Sequence, residues 1–469
     1  MRKFTSLAAA IALLTGCALG PDYQARTPDL PDQWPEHELL GQDTGDWQQW
    51  WTRFDDATLN ALVERALNDN LNLQVQIQRI EQARAELGLS NANRWPSLSA
   101  QANATRERTP ETVSQTGTEY ISERYAVNGV LSYELDLWGR LAREREAASA
   151  LLAQSVFGTE AVRLNLITDV VTTYFNLRAA EQQLAITRET LGTREETLVL
   201  EEVRYESGAS NPLSIRQARA SLESTRARLP QQEQRVHELR SALAMLVGYS
   251  PRELLSELNF GDAKLTEIEL PDSVPAVLPS ELLQRRPDIR AAEEALVAAN
   301  ARVGVAKAQR FPSLNLQALG GSVALDSDNL FTAPAEMWSV GANLAGPLFD
   351  FGRTRSRIES AEAQLAQAEA QYQLAITNGF RDARDALVIY QTSDRRVEAV
   401  RRQAEAIEET LELAELQYEA GSIGFYELLD AQRGLLDAEL TLSQAMSDRL
   451  AATATLFKAM GGGWSMPRS

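Results

Sequence analysis

Apolar positions step by three and four without a break from Val397 through Val400, Ala404, Ile407, Leu411 and Ala414 to Tyr418. That spacing is the seam of a helix packed along a partner helix. It stops at Tyr418-Glu419-Ala420-Gly421, where Gly421 is able to take the left-handed conformation that ends a helix. A second helix starts near Tyr426 and carries Leu428, Leu429, Leu435 and Leu436. The pattern predicts a helical hairpin with a tight tip at 418–426. The same hairpin occurs 213 positions earlier, with Tyr205 for Tyr418, Gly208 for Gly421, Gly248 for Gly461 and a tip at 205–213. Gly139-Arg140 and Gly352-Arg353 keep that offset, while Trp95-Pro96-Ser97-Leu98 matches Phe311-Pro312-Ser313-Leu314 at 216. Anchors in one order along two halves indicate an internal duplication.

The first long helix runs from Gly139-Arg140 to about Ser207. Its seam of Leu184, Leu191, Leu198 and Tyr205 is diluted by Thr187, Arg194 and Glu201. The second runs from Gly352-Arg353 to Tyr418, roughly 65 residues or about 100 Å at the helical rise. Helices of that length belong in a coiled-coil array or a tube wall. Asn211-Pro212 reads as an N-cap followed by proline at the first helical position.

After each aromatic-proline pair the period changes to two. Leu98, Ala100, Ala102 and Ala104 alternate with polar residues; Val127, Gly129, Leu131, Tyr133 and Leu135 do the same after a polar loop. In the second half Leu314, Leu316 and Ala318, then Trp338, Val340, Ala342 and Leu344, repeat the pattern. The strands expected are 97–106, 125–137, 313–323 and 337–349. Each is about the length of a tilted transmembrane strand, although two ordinary hairpins with one buried face have the same pattern. No stretch beyond the N-terminus has about 18 consecutive apolar residues, so any crossing of a membrane must use strands. Four strands cannot close a barrel, since the smallest single-chain barrels use about eight and open edges in lipid are too costly. Several chains must therefore share one barrel: two would make it narrow, three would give twelve strands and a wider one.

The N-terminus adds an address. Arg2 and Lys3 precede a short apolar run from Leu7 to Leu14, the form of a secretory signal. The run ends Leu14-Thr15-Gly16-Cys17, which resembles a bacterial lipobox, with Cys17, the only cysteine, as the lipid attachment site. Ala18 in place of Asp resembles outer-membrane sorting. Pro21, Pro28, Pro31, Trp34, Pro35, Trp47, Trp50 and Trp51 mark an extended segment whose tryptophans pin it to the body. The chain divides into a signal peptide over 1–16, a lipid-anchored wrapping segment over 17–55 and a first repeat over 56–248. A proline-punctuated connector over 249–287, a second repeat over 288–461 and a tail over 462–469 follow.

Formal net charge is −19, which removes the basic footprint of a nucleic-acid binder and suits an interior that favours cations. The only histidines are His37 and His237, and no nucleophile elbow, metal-ligand cluster or phosphate loop occurs. No enzyme, metal or cofactor is expected. A coiled-coil lipoprotein without a conducting pore accounts for the helices and the anchor, but not for four alternating strands flanked by proline. Six Met and two His form no metal-rich tract.

One ordered set of segments resembles the TolC-like outer-membrane efflux factors, in their lipoprotein branch typified by OprM. The set comprises Leu14-Thr15-Gly16-Cys17, Gly20-Pro21-Asp22-Tyr23, Trp50-Trp51, Tyr133-Glu134-Leu135-Asp136-Leu137-Trp138-Gly139-Arg140, Arg285-Arg286-Pro287-Asp288-Ile289, Phe311-Pro312-Ser313-Leu314, Pro347-Leu348-Phe349-Asp350, Gly352-Arg353 and Leu428-Leu429-Asp430-Ala431-Gln432-Arg433. The resemblance implies a mixed α/β membrane protein: a homotrimer with a twelve-strand outer-membrane barrel, four strands per chain, continued by a long periplasmic α-helical barrel. It further implies a passive exit duct for drugs or other small molecules, joined through a periplasmic adaptor to an inner-membrane pump of the resistance-nodulation-division type. At the periplasmic gate it implies roles for Tyr418, Glu419, Tyr426 and Asp430. Glu419 stands where such members carry Arg and Tyr426 where a gating Leu is usual; Asp430 matches an acidic ring residue. Tyr426 and Asp430, four apart, share one helix face.

Overall fold

The computed structural model describes residues 19–24, 30–31, 34, 47–114, 117–256, 258–261, 263–271, 274 and 277–464. The signal peptide, Cys17, most of the wrapping segment and residues 465–469 lie outside the described residues.

Seven helices are used below: α1 (Ala57–Asp69), α2 (Leu71–Ala92), α3 (Arg140–Glu206), α4 (Pro212–Leu246), α5 (Pro287–Ala308), α6 (Arg353–Glu419) and α7 (Phe425–Ala459). The strands are β1 (Ser97–Thr109), β2 (Tyr120–Leu135), β3 (Ser313–Ala324) and β4 (Glu336–Ala345). The duplication is visible element by element. α2 and α5 have 22 residues each, α3 and α6 have 67, and α4 and α7 have 35. Offsets are 216 at the starts of α2/α5 and of β2/β4, and 213 at the starts of α3/α6 and α4/α7. The three-residue difference thus falls between the start of the second strand of each pair and the long helix that follows.

The sheet has the order β1-β2-β3-β4, antiparallel throughout. β1 and β4 are its open edges. The expected boundaries shift for two physical reasons. The first hairpin extends past 106 and begins again at 120, not 125. Ion pairs carry the ladder outward there, from Arg106 to Glu123 at 3.3 Å and from Arg108 to Glu119 at 2.6 Å. β4 stops at Ala345 rather than 349, because Gly346-Pro347 follows and proline has no N–H for a ladder. β2 likewise stops at Leu135, short of 137. Among the described residues no helix is long and apolar enough to cross a membrane.

The chain forms two compact units. The first, built from 1–27, 78–156 and 291–374, contains the sheet. Here residues just after the expected anchor are fastened to the body. The Leu19 N–H donates to the Trp138 carbonyl at 3.2 Å. The buried Arg143 guanidinium donates to the Leu19 carbonyl and pairs with Asp22 at 2.6 Å. Asn300 donates to the Pro21 carbonyl at 2.8 Å. A Cβ on Gly20 would lie 2.6 Å from the Gly304 Cα, so the segment fits here only as glycine against glycine.

The second unit, built from 28–77, 157–290 and 375–469, contains both hairpin tips. Its core gathers Trp47, Trp50, Trp51 and Phe54 with Tyr174, Phe175 and Phe457. Trp50 is fully buried and stacks on Phe457, centroids 5.2 Å apart. The tryptophans are thus anchors rather than the lining of a cleft. The Asp56 carboxylate caps α1, accepting from the Leu59 N–H at 2.9 Å, and also accepts from the buried Tyr174 hydroxyl at 2.6 Å. Asn70 ends α1 and caps α2, its side-chain oxygen accepting from the Leu73 N–H at 3.0 Å.

Candidate functional site at the hairpin tips

Both tips turn on glycine. Gly208 has φ +78° and Gly421 +72°, conformations in which a side chain is strained. The Gly208 N–H donates to the Tyr205 carbonyl at 2.9 Å, and the Gly421 N–H to the Tyr418 carbonyl at 3.0 Å. These bonds close the carbonyl ends of α3 and α6. Return helix α4 starts on Asn211, whose side-chain oxygen accepts from the Leu213 and Ser214 N–H groups. Its counterpart α7 starts on Gly424 with no side-chain cap.

The two tips pack together. Ala218, Tyr418, Phe425, Leu428 and Leu429 form a small buried cluster, flanked by Leu198, Leu411, Ala414 and Ile423. At its edge sits Glu201, fully buried. One Glu201 oxygen accepts from the Tyr418 hydroxyl; the other accepts from Ser210 Oγ at 2.7 Å. Arg204 Nε lies 3.9 Å from the same carboxylate, and its guanidinium carbon lies 4.6 Å from the Tyr418 ring centroid. Burial, then the bond to Glu201, pushes the Tyr418 phenol well above its ordinary value. The carboxylate therefore ties α6 to α3 with a donor on each oxygen, which lowers the cost of burying its charge.

The site residues expected from sequence divide accordingly. Tyr418 is buried and bonded to Glu201. Glu419 is exposed and makes no hydrogen bond or ion pair among the described residues. Tyr426, at 58% exposure, and Asp430 lie on the exposed side of α7, opposite Phe425, Leu428 and Leu429. Glu201, Arg204 and Ser210 were not among the expected site residues. The signal was present: Thr187, Arg194 and Glu201 recur every seven residues within the α3 seam, and all three are buried, at 0%, 3% and 0% exposure. A polar residue repeated at seam spacing marks a buried polar contact.

Comparison with known proteins fits this geometry. The model of the family described as outer membrane efflux protein matches residues 62–249 and 278–462. The solvent efflux pump outer membrane protein SrpC of Pseudomonas putida is 33% identical over the whole of both chains. The cation efflux system protein CusC of Escherichia coli is 32% identical over 96% of each. Among solved structures, the outer-membrane channel OprN superposes with a TM-score of 0.88 at 32% identity, covering 96% of this chain and all of its own.

Proposed function

The chain belongs to the outer membrane efflux protein family, and from that premise we propose that three copies form one exit duct. Their β1 and β4 edges pair around a common axis to give a twelve-strand barrel in the outer membrane. Their long helical hairpins continue it into the periplasm, where they meet a periplasmic adaptor and an inner-membrane pump. The open-edged four-stranded sheet carries this reading: such a sheet is stable in lipid only when copies complete it. The duct conducts and catalyses no reaction. Its cargo is drugs or other amphipathic molecules, chosen by the pump; the six Met and two His form no tract suited to metal relay.

Acylation at Cys17, supported by Leu14-Thr15-Gly16-Cys17, tethers each copy to the membrane. Only Ala18 separates that cysteine from the fastened segment beginning at Leu19, at most about 7 Å of extended chain. The test of the conduit is direct. Purified protein is expected to be a trimer in mild detergent and to give discrete conductance steps in a planar bilayer. A monomer that does not conduct would remove the proposal.

The gate lies at the hairpin tips. Tyr418 is held inside its own chain, whereas Glu419, Tyr426 and Asp430 are exposed and available to face the other copies. Around a threefold axis Asp430 becomes a ring of three carboxylates, which repel one another and attract cations. Asp430→Asn is expected to lower the cation-to-anion permeability ratio by about twofold or more, because the ring charge sets that preference. Reversal potentials in a salt gradient measure it, and an unchanged ratio rejects the ring.

A further inference from the structure

One residue of the buried polar stripe is satisfied quite differently from Glu201. Arg194, on α3, is 3% exposed. Among the described residues its only hydrogen-bond partner is the neutral side-chain oxygen of Gln432 on α7, and its Nε is buried with no acceptor. Among the described residues no carboxylate comes within ion-pair distance of it. A like charge adds to the cost: burial first, then Arg433, lowers its pKa to about 10. Beside it lies a cavity of about 180 Å³ lined by Glu189, Glu415, Gln432 and Glu439 as well as Arg194 itself. Those carboxylates border the space without reaching the guanidinium. Burial is already complete within one chain, so a second copy has almost no surface of Arg194 left to touch.

An ion buried with a single neutral partner destabilises the arrangement that buries it. The burial here is between α3 and α7, one helix from each hairpin. Separating the hairpins rehydrates the ion; packing them dehydrates it again. We infer that Arg194 acts as a spring that biases the tips toward opening, opposed by the satisfied Glu201–Tyr418 tie one turn-pair further along the same stripe. The closed tip is then a balance of two buried charges, one with its partners and one without. This inference rests on the proposed duct, and it assigns Arg194 and Gln432 to the gate in a sense opposite to that of a latch.

The opposite sign makes it testable. A latch residue, once removed, loosens the tip; a spring, once removed, tightens it. Arg194→Met keeps the length and apolar stem of the side chain and deletes the charge. It is expected to reduce the frequency of opening events in planar bilayers by about tenfold, the size expected when a poorly compensated buried charge is removed. Gln432→Glu, which hands the guanidinium a carboxylate in the same place, is expected to reduce it as well. If Arg194→Met does not assemble as a trimer, Arg194→Gln serves in its place with the same expected direction. More frequent opening, or no change, in the charge-deleted variant overturns the inference even when wild-type protein conducts normally. Absence of conductance in wild-type protein would instead overturn the duct itself.

Discussion

Glu201→Ala is expected to raise the opening frequency of the channel by about tenfold or more, since it strands the buried Tyr418 hydroxyl, a loss of about 1–3 kcal/mol. The substitution removes the acceptor of the Tyr418 hydroxyl and of Ser210 Oγ, and leaves Arg204 without its carboxylate. Tyr418 is buried against Phe425 and cannot turn its hydroxyl to water without disturbing that packing. The three-copy assembly loses the tie three times. Tyr418→Phe is a milder form of the same change, because Ser210 and Arg204 still satisfy Glu201, and it is expected to fall between wild type and Glu201→Ala. Single-channel recording at fixed voltage ranks the three proteins. A Glu201→Ala channel that opens no more often than wild type would show that the tie does not hold the tip.

Val340→Arg is expected to abolish the outer-membrane trimer, whereas Ser339→Arg leaves it assembled. Trp338, Val340 and Leu344 are 81%, 75% and 62% exposed on one side of β4, where they meet lipid in the completed barrel. Val340 lies near the middle of the strand. An arginine facing the bilayer midplane costs about 2–4 kcal/mol, so three copies incur about 6–12 kcal/mol. Ser339 points to the other face, toward the lumen, where water solvates the charge. Trimer recovered from outer-membrane fractions is the measurement. Equal recovery of the two variants would mean that the alternation does not separate lipid from water.

The regular features of this chain were readable because periodicity and punctuation are local. The seam from Val397 to Tyr418, the glycine tips and the aromatic-proline strand starts place the helices and sheet within a few residues. The boundary differences have two kinds of cause. Residues 107–109 and 120–124 read as loop until Arg106 and Arg108 are seen paired with Glu123 and Glu119 across the hairpin. Gly346-Pro347, by contrast, is local punctuation, and it ends β4 although the apolar alternation invites continuation. The hairpin-tip site is only partly legible in the sequence. Tyr418 is marked by the family resemblance, but its partner Glu201 stands 217 positions away and looks like a flaw in a seam. Only packing tells that a charge at such a position is bonded, as Glu201 is, or nearly alone, as Arg194 is.

The two copies of the unit carry rods of identical length, 67 and then 35 residues in each. Adding a single residue to one rod would swing everything beyond it by about 100° and advance it about 1.5 Å, turning a buried side outward against a sister rod that had not changed. Growth by small insertions is therefore closed to the helices. The copies differ in length instead in their strands, β2 having 16 residues and β4 10, and at the exit from that second strand, where a change of length rotates no packed helix face.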